Sequence, residues 1–206
     1  MQTRKTKLLQ KITVVSGEKE AILMNTQKKT ETLAMTALFA AMIFVATYWL
    51  KVPIPTGYVH MGDTMIFTAV IVLGRNKAAL AGGVGAAMAD LLGGYAVWAI
   101  PSFVLKALMA LIMGICIEKS VFKLSGRKLW IVAAVLGGTV EVIGYILCTI
   151  VLYGWAAAAV EAAGTVIQCA VGIMIAFVLC EMIQKSPLKS NLVYTTYGGK
   201  LKKGNE

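Results

Sequence analysis

The run Val97-Trp-Ala-Ile-Pro-Ser-Phe-Val-Leu-Lys106-Ala-Leu-Met-Ala-Leu-Ile-Met-Gly-Ile-Cys-Ile117 holds 21 residues and a single charge. As a helix rising about 1.5 Å per residue, it would cross the roughly 30 Å hydrocarbon core of a bilayer. Working outward, comparable apolar runs occupy residues 32–50, 59–74, 77–94, 129–152 and 161–183. The second is short for a span. The expected fold is all-α: a polytopic membrane protein with a bundle of six transmembrane helices.

Composition agrees with this reading. Of the 206 residues, 58% are hydrophobic and 15% charged, with a mean hydropathy of +0.76. A soluble domain carries roughly a quarter charged residues, so this chain lacks the polar surface that water would require. The net charge of +10 is not one basic patch for nucleic acid, because the cations fall between the apolar runs. Seven Lys and Arg lie in residues 1–31, two in 75–77, four in 118–128 and five in 184–206, which is 18 of the 20. The positive-inside rule then places the N- and C-termini on the cytoplasmic side. The chain divides into a basic N-terminal tail (1–31), a six-helix membrane domain (32–184) and a basic C-terminal tail (185–206). Residues 1–31 show no cleavable signal, and residues 1–23 read as a disordered arm or a mis-assigned start. Trp49, Trp98 and Trp155 are expected at the outer interface and Trp130 at the inner one.

The loop from Lys51 to Gly62 has two prolines that hold it extended and ends in Tyr58, His60 and Asp63, so it reads as a shaped lid. Ionisable groups inside a membrane cost at least a few kcal/mol unless paired or wet. By rise per residue, Lys106 lies about 14 Å and Glu141 about 17 Å below the outer ends of their helices. Two opposite charges at one depth would form an ion pair, or floor an outward-facing pocket and bind polar groups of a small ligand; the two readings overlap. Tyr145, one turn outward from Glu141, would add an aromatic wall. Asp63, ahead of Thr64-Met-Ile-Phe, reads most simply as a helix N-cap. Asp90 sits where helix polarity disfavours an anion, so it needs a partner, in a site or in the lid. Gln168 suits either a pocket or an interhelical hydrogen bond. Ala37-Leu-Phe-Ala-Ala41 has the small-xxx-small spacing that lets another helix approach. The four cysteines, 116, 148, 169 and 180, lie within apolar runs without metal-ligand spacing and read as packing residues. There is no Walker-type phosphate loop, no HExxH helix and no GxSxG elbow, so no metal, cofactor or enzymatic activity is expected.

Val52-Pro-Ile-Pro-Thr-Gly-Tyr58 leading to Met61-Gly-Asp-Thr64, then Ala81-Gly-Gly-Val-Gly85, Ala89-Asp-Leu-Leu-Gly-Gly-Tyr95 and Lys106-Ala-Leu-Met-Ala-Leu-Ile-Met-Gly114, follow one another in an order with a known counterpart. Together they resemble the substrate-binding (S) component of an energy-coupling factor (ECF) vitamin transporter, in the branch of riboflavin-type and hydroxymethylpyrimidine transporters. Val142-Ile-Gly-Tyr145 and Tyr153-Gly-Trp155 through Gln168 extend the likeness, which covers residues 28–184. The chain departs from the family pattern at Ala163-Gly-Thr165 and at Glu141.

The resemblance implies a subunit that captures a small water-soluble vitamin or precursor: a hydroxymethylpyrimidine, pyridoxine or a riboflavin-like ring. It implies a prokaryotic cytoplasmic membrane, and partnership with one ECF transmembrane coupling protein and two ABC ATPase subunits. Tyr58, His60, Asp90, Trp98, Lys106, Glu141, Tyr145 and Gln168 are the candidate substrate-binding residues. Ala37 and Ala41 map onto the coupling-subunit docking motif. The alternatives are a stand-alone proton-coupled secondary transporter and a membrane scaffold. The topology is open to a direct check in a background without the native cysteines. A cysteine placed at Gly57 should react with an impermeant thiol reagent from outside the cell and one at Ser125 should not; the opposite pattern would invert the topology.

Overall fold

A computed structural model describes residues 2–55, 57–120 and 123–186. Its elements are helix α1 (Gln2–Tyr48), strands β1 (Lys51–Ile54) and β2 (Gly57–His60), and helices α2 (Gly62–Leu73), α3 (Arg75–Leu92), α4 (Ala96–Glu118), α5 (Gly126–Tyr153) and α6 (Trp155–Lys185). The chain divides into two compact units, Met1–Met35 and Thr36–Glu206. The first is helical throughout its described residues, so a helix occupies the segment expected as an N-terminal tail. The C-terminal tail beyond Ser186 lies outside the described residues.

Each of the six expected apolar runs contains a helix, the second only from Gly62, because Val59 and His60 belong to β2. Among the described residues, four helical stretches are long and apolar enough to cross a membrane: Ile22–Tyr48, Ala96–Glu118, Gly126–Tyr153 and Trp155–Lys185. The bundle is built inside out relative to a water-soluble protein. Ile100, Leu147, Val151, Ile167, Met174 and Val178 are exposed, while Lys106, Glu141 and Asp63 are fully buried. An apolar exterior over charged interior groups suits hydrocarbon as the solvent.

Helix α2 explains the short second run. Its 12 residues span only about 18 Å, yet eleven of them are buried. It packs among α3, α4 and α6, so protein and not lipid surrounds it. Gly74 alone separates α2 from α3, and Gly154 alone separates α5 from α6. Their φ values of 79° and 86° lie in the left-handed region that a side chain disfavours. At the same end of the bundle as Gly74, Arg75 bonds Glu118 at 2.8 Å, and Arg127 grips Glu181 through two contacts of 2.7 and 2.8 Å.

Of the four tryptophans expected in aromatic belts, Trp49 and Trp155 are exposed, whereas the other two are not. Trp98 and Trp130 are buried among protein side chains. Trp98 sits one turn into α4 on its inward face, and Trp130 packs on Phe177 with ring centroids 5.6 Å apart. Belt position was inferred from depth alone, and depth does not fix which way a helix face points.

Small residues set the helix spacing. A Cβ on Gly85 would come within 2.6 Å of the Ala40 carbonyl and 3.0 Å of Ile43, so Gly85 lets α1 seat on α3. A Cβ on Gly137 would meet the Met109 carbonyl at 2.8 Å, whereas one on its neighbour Gly138 would meet nothing closer than 3.4 Å. Gly137→Ala should therefore destabilise the purified protein by about 1–3 kcal/mol, the usual range for overpacking. Gly138→Ala should be close to neutral. Thermal unfolding of the two variants in detergent reads the difference, and equal melting temperatures would refute the α4–α5 contact.

Candidate functional site

The loop expected as an extended lid is a two-stranded antiparallel hairpin. Lys51 pairs with His60, Val52 with Val59, Pro53 with Tyr58 and Ile54 with Gly57. Side chains alternate across such a pair, so Lys51, Tyr58 and His60 share one face while Ile54 and Val59 share the other. The second face lies on α6, where Gly164 makes room: a Cβ there would stand 3.0 Å from Val59. The departure from the family pattern at Ala163-Gly-Thr165 thus falls where the hairpin rests.

The first face turns toward α3 and the helix that follows it. The Tyr58 hydroxyl donates to Asp90 Oδ1 in a very short hydrogen bond, and its ring lies 4.7 Å from that of Tyr95. Asp90 therefore has the partner its position demanded, and that partner is in the lid. The Lys51 ammonium sits over three tyrosine rings, 4.6 Å from Tyr48, 5.0 Å from Tyr58 and 5.5 Å from Tyr95. Such cation–π contacts hold a charge without a carboxylate.

Beneath the hairpin lies a wholly buried polar cluster. Lys106 Nζ donates to Asp63 Oδ1 at 2.5 Å and, in a shorter contact, to Glu141 Oε1; all three side chains are wholly buried. The Lys106–Glu141 pair expected from matching depth is present. Asp63 is the correction. Helix α2 starts at Gly62 with Met61 in the cap position and no side-chain cap, so Asp63 is not an N-cap but the second carboxylate on Lys106. A lysine with three donors and no acceptor draws such partners far more strongly than backbone amides at a helix start.

Gln168 closes the network upward. Its Nε2 donates to Asp63 Oδ2 at 2.7 Å and its Oε1 accepts from the His60 backbone N–H at 2.8 Å, tying the hairpin to the ion centre. The Cys169 thiol donates to Glu141 Oε2 at 3.4 Å. Asp63, Glu141 and Cys169 gather ligand atoms within 4.8 Å of one another, a spacing suited to a cation. The cation they hold is the lysine's own. Gly172 leaves space for this meeting, since a Cβ there would stand 3.2 Å from that of Asp63.

One turn toward the hairpin from this layer, the helices line a small recess of about 30 Å³. Ser102 precedes Lys106 by four residues on α4, and Tyr145 follows Glu141 by four on α5, so one helical turn separates recess from ion centre on both. Tyr145 donates to Ser102 Oγ at 2.8 Å, and its ring lies 5.6 Å from that of Trp98. Tyr58, Trp98 and Tyr145 are the aromatic lining, and Gly57, His60 and Gln168 contribute from the lid and α6. Of the eight residues expected in a binding site, six line this recess: Tyr58, His60, Asp90, Trp98, Tyr145 and Gln168. Lys106 and Glu141 lie below it, paired to each other.

Four lining residues are not among the expected site residues: Gly57, Ser102, Glu161 and Thr165. Glu161, Thr165 and Gln168 follow i, i+4, i+7 on one face of α6, and Thr165 donates to Glu161 Oε1 at 3.1 Å. That spacing was visible, but Glu161 was taken as the boundary of the last span. His60 Nδ1 accepts from the Gly62 backbone N–H at 3.0 Å. Burial first, and then the positive charge of Lys106, push the pKa of His60 down to about 3, so the ring is a neutral member of the lining. Burial and the neighbouring Asp90 carboxylate raise that of Tyr58, so it stays a hydroxyl donor.

Apolar helices around a buried ion centre, with an aromatic and polar recess at one end, define a membrane protein built to bind a small molecule. More specifically, the chain belongs to the family of ECF-type riboflavin transporter S components, which it matches over residues 27–185. Members of that family are transporter components, not enzymes, and work with ECF transmembrane and ATPase modules. The chain is 36% identical over 145 residues to an uncharacterized protein encoded in a gap 3′-region of Pyrococcus woesei, covering 69% of this chain and 95% of that one. It is 26% identical over 162 residues to the thiamine precursor transporter HmpT of Lactococcus lactis subsp. cremoris, covering 77% of this chain and 91% of the relative.

The ion centre makes a stability prediction. Lys106→Met leaves two buried carboxylates without their cation and should destabilise the protein by about 3–5 kcal/mol. Combining it with Asp63→Asn and Glu141→Leu removes both orphaned charges and should restore much of that loss. The check is thermal unfolding of single and triple variants; a single variant as stable as the parent would show that Lys106 is not held by these carboxylates.

Proposed function

We propose that this chain is the substrate-binding subunit of an ECF-type importer in a prokaryotic cytoplasmic membrane, where it captures a vitamin or vitamin precursor for ATP-driven uptake. All six helices cross or enter the bilayer, with the N- and C-termini cytoplasmic and the hairpin outside. The observation that carries the reading is the recess beneath the hairpin, at the end of the bundle away from the basic loops. A binding site roofed by an extracytoplasmic lid is what a capture subunit needs.

The substrate class is a water-soluble ring compound: a hydroxymethylpyrimidine, pyridoxine or a riboflavin-like ring. Similarity to a thiamine precursor transporter favours the pyrimidine. Energy would come from one ECF transmembrane coupling protein and two ABC ATPases.

Docking is assigned to α1. Ala37 and Ala41 are exposed on it, beside the exposed Leu38, Met42 and Val45. Ile43, on the opposite side, is fully buried against Gly85. The exposed side is therefore free of the chain's own packing and apolar enough to receive a helix.

Ala37→Trp with Ala41→Trp should abolish co-purification of the coupling protein and cut uptake to background, with ligand affinity within about threefold of the parent. Lost ligand binding with docking intact would refute the assignment of these alanines. Accumulation of ligand by the purified chain alone in proteoliposomes, driven by a proton gradient, would instead establish a self-sufficient carrier.

A further inference from the structure

The charges around the recess are unequal. Two carboxylates line it, Asp90 from α3 and Glu161 from α6, and no lysine or arginine does so among the described residues. His60 is neutral for the reasons given above. The layer below adds no positive charge: Lys106 carries one unit against the two carboxylates of Asp63 and Glu141. That layer is therefore neutral or negative, whether or not Glu141 is ionised. Lys51, the nearest other cation described, is held on its tyrosine cage.

Asp90 also has unused capacity. The residue is 4% exposed. Its Oδ1 accepts from Tyr58, and Oδ2 lies beside the Ser102 hydroxyl, which accepts from Tyr145 and keeps its own proton to donate. A carboxylate has about four lone-pair sites, so Asp90 can still accept from a ligand N–H or O–H that reaches it. The aromatic rings of Trp98 and Tyr145, 5.6 Å apart on the same lining, provide the apolar faces for a flat ring carrying that donor.

Resting on the transport reading above, we infer that the recess selects neutral or cationic ring compounds with N–H or O–H donors on their edge, and rejects phosphorylated and carboxylated forms, with Asp90 and Glu161 as the specificity-determining residues. An anion in this recess would face two carboxylates with no lysine or arginine beside them in the described lining, and like charges held together in a poorly solvated site repel strongly. A cationic or hydrogen-bond-donating edge would meet acceptors already in place. The imported compound is then the bare vitamin or precursor, and any phosphate it carries in the cell must be added afterwards by a kinase-type reaction.

The test uses the full chain in lipid nanodiscs and calorimetric titration with three ring compounds, hydroxymethylpyrimidine, pyridoxine and riboflavin, each beside its own phosphate ester. Whichever ring binds, its ester should bind about 100-fold more weakly or worse. Size alone could exclude an ester, so charge is isolated by Asp90→Asn and Glu161→Gln, which remove charge at nearly constant volume. Each should shrink the ratio between ring and ester about tenfold or more. Esters that bind the parent as tightly as the bare ring, or a ratio unchanged in both variants, would overturn the inference while leaving the transport reading standing. Failure of all six compounds to bind a folded parent would remove the proposed substrate class, and this inference with it.

Discussion

A lysine ammonium in the middle of an apolar bundle must be neutralised, and that constraint organises the helices around it. Lys106 on α4 takes one carboxylate from α2 and another from α5. Gln168 on α6 binds the free oxygen of the first, and Cys169 that of the second. Four helices thus meet at one ammonium group. In lipid, where apolar surfaces gain little by leaving hydrocarbon for one another, such directional contacts and close small-residue packing must specify the arrangement. The glycines serve this end: Gly172 admits Asp63, and Gly137 draws α5 against the Met109 carbonyl one turn below Lys106.

The same constraint reaches the lid. Gln168 binds Asp63 with its nitrogen and the His60 backbone with its oxygen, so the ion centre fixes where β2 ends. From there the hairpin's alternation aims Tyr58 at Asp90 and Lys51 at the tyrosine cage. The lid is anchored at its base by buried polar bonds and at its edge by aromatic contacts. Displacing it would expose Asp90 and the ring faces while the base stayed bound.

Much of this was legible from residues alone, and the failures have identifiable causes. Helix positions were recovered because lipid demands long apolar runs. The Lys106–Glu141 pair was recovered because two opposite charges at one depth have few other outcomes. Asp63 was misread because local cap chemistry was weighed without knowing that Lys106 lay within reach; the winning interaction joins residues 43 apart in sequence. The strands were missed because each has only four residues and Pro53 sits in one of them. A two-stranded ribbon accommodates that proline because the missing N–H can fall on an unpaired edge. Glu161 was overlooked because α6 starts at Trp155, before the hydropathy becomes continuous. The outward or inward facing of Trp98 and Trp130 was not encoded in their depth at all.

The layering also shows how a charged core can lie beneath the recess without lining it. Ser102 and Tyr145 lie one helical turn nearer the hairpin than Lys106 and Glu141, on the same two helices. The helical repeat that brings the charges together therefore also brings the recess-lining hydroxyls together, and Tyr145 bonds Ser102 at 2.8 Å as Glu141 bonds Lys106. The ammonium gives two of its three donors to carboxylates and lies 5.3 Å from the Tyr145 ring centroid, so it braces the floor from beneath the lining. Lining chemistry then falls to Asp90, Glu161 and the aromatic rings, side chains that can change without disturbing the ion centre beneath them. On the reading proposed above, the charge that holds the bundle is separate from the charges that would meet a ligand, so the lining could vary while the ion centre stayed in place.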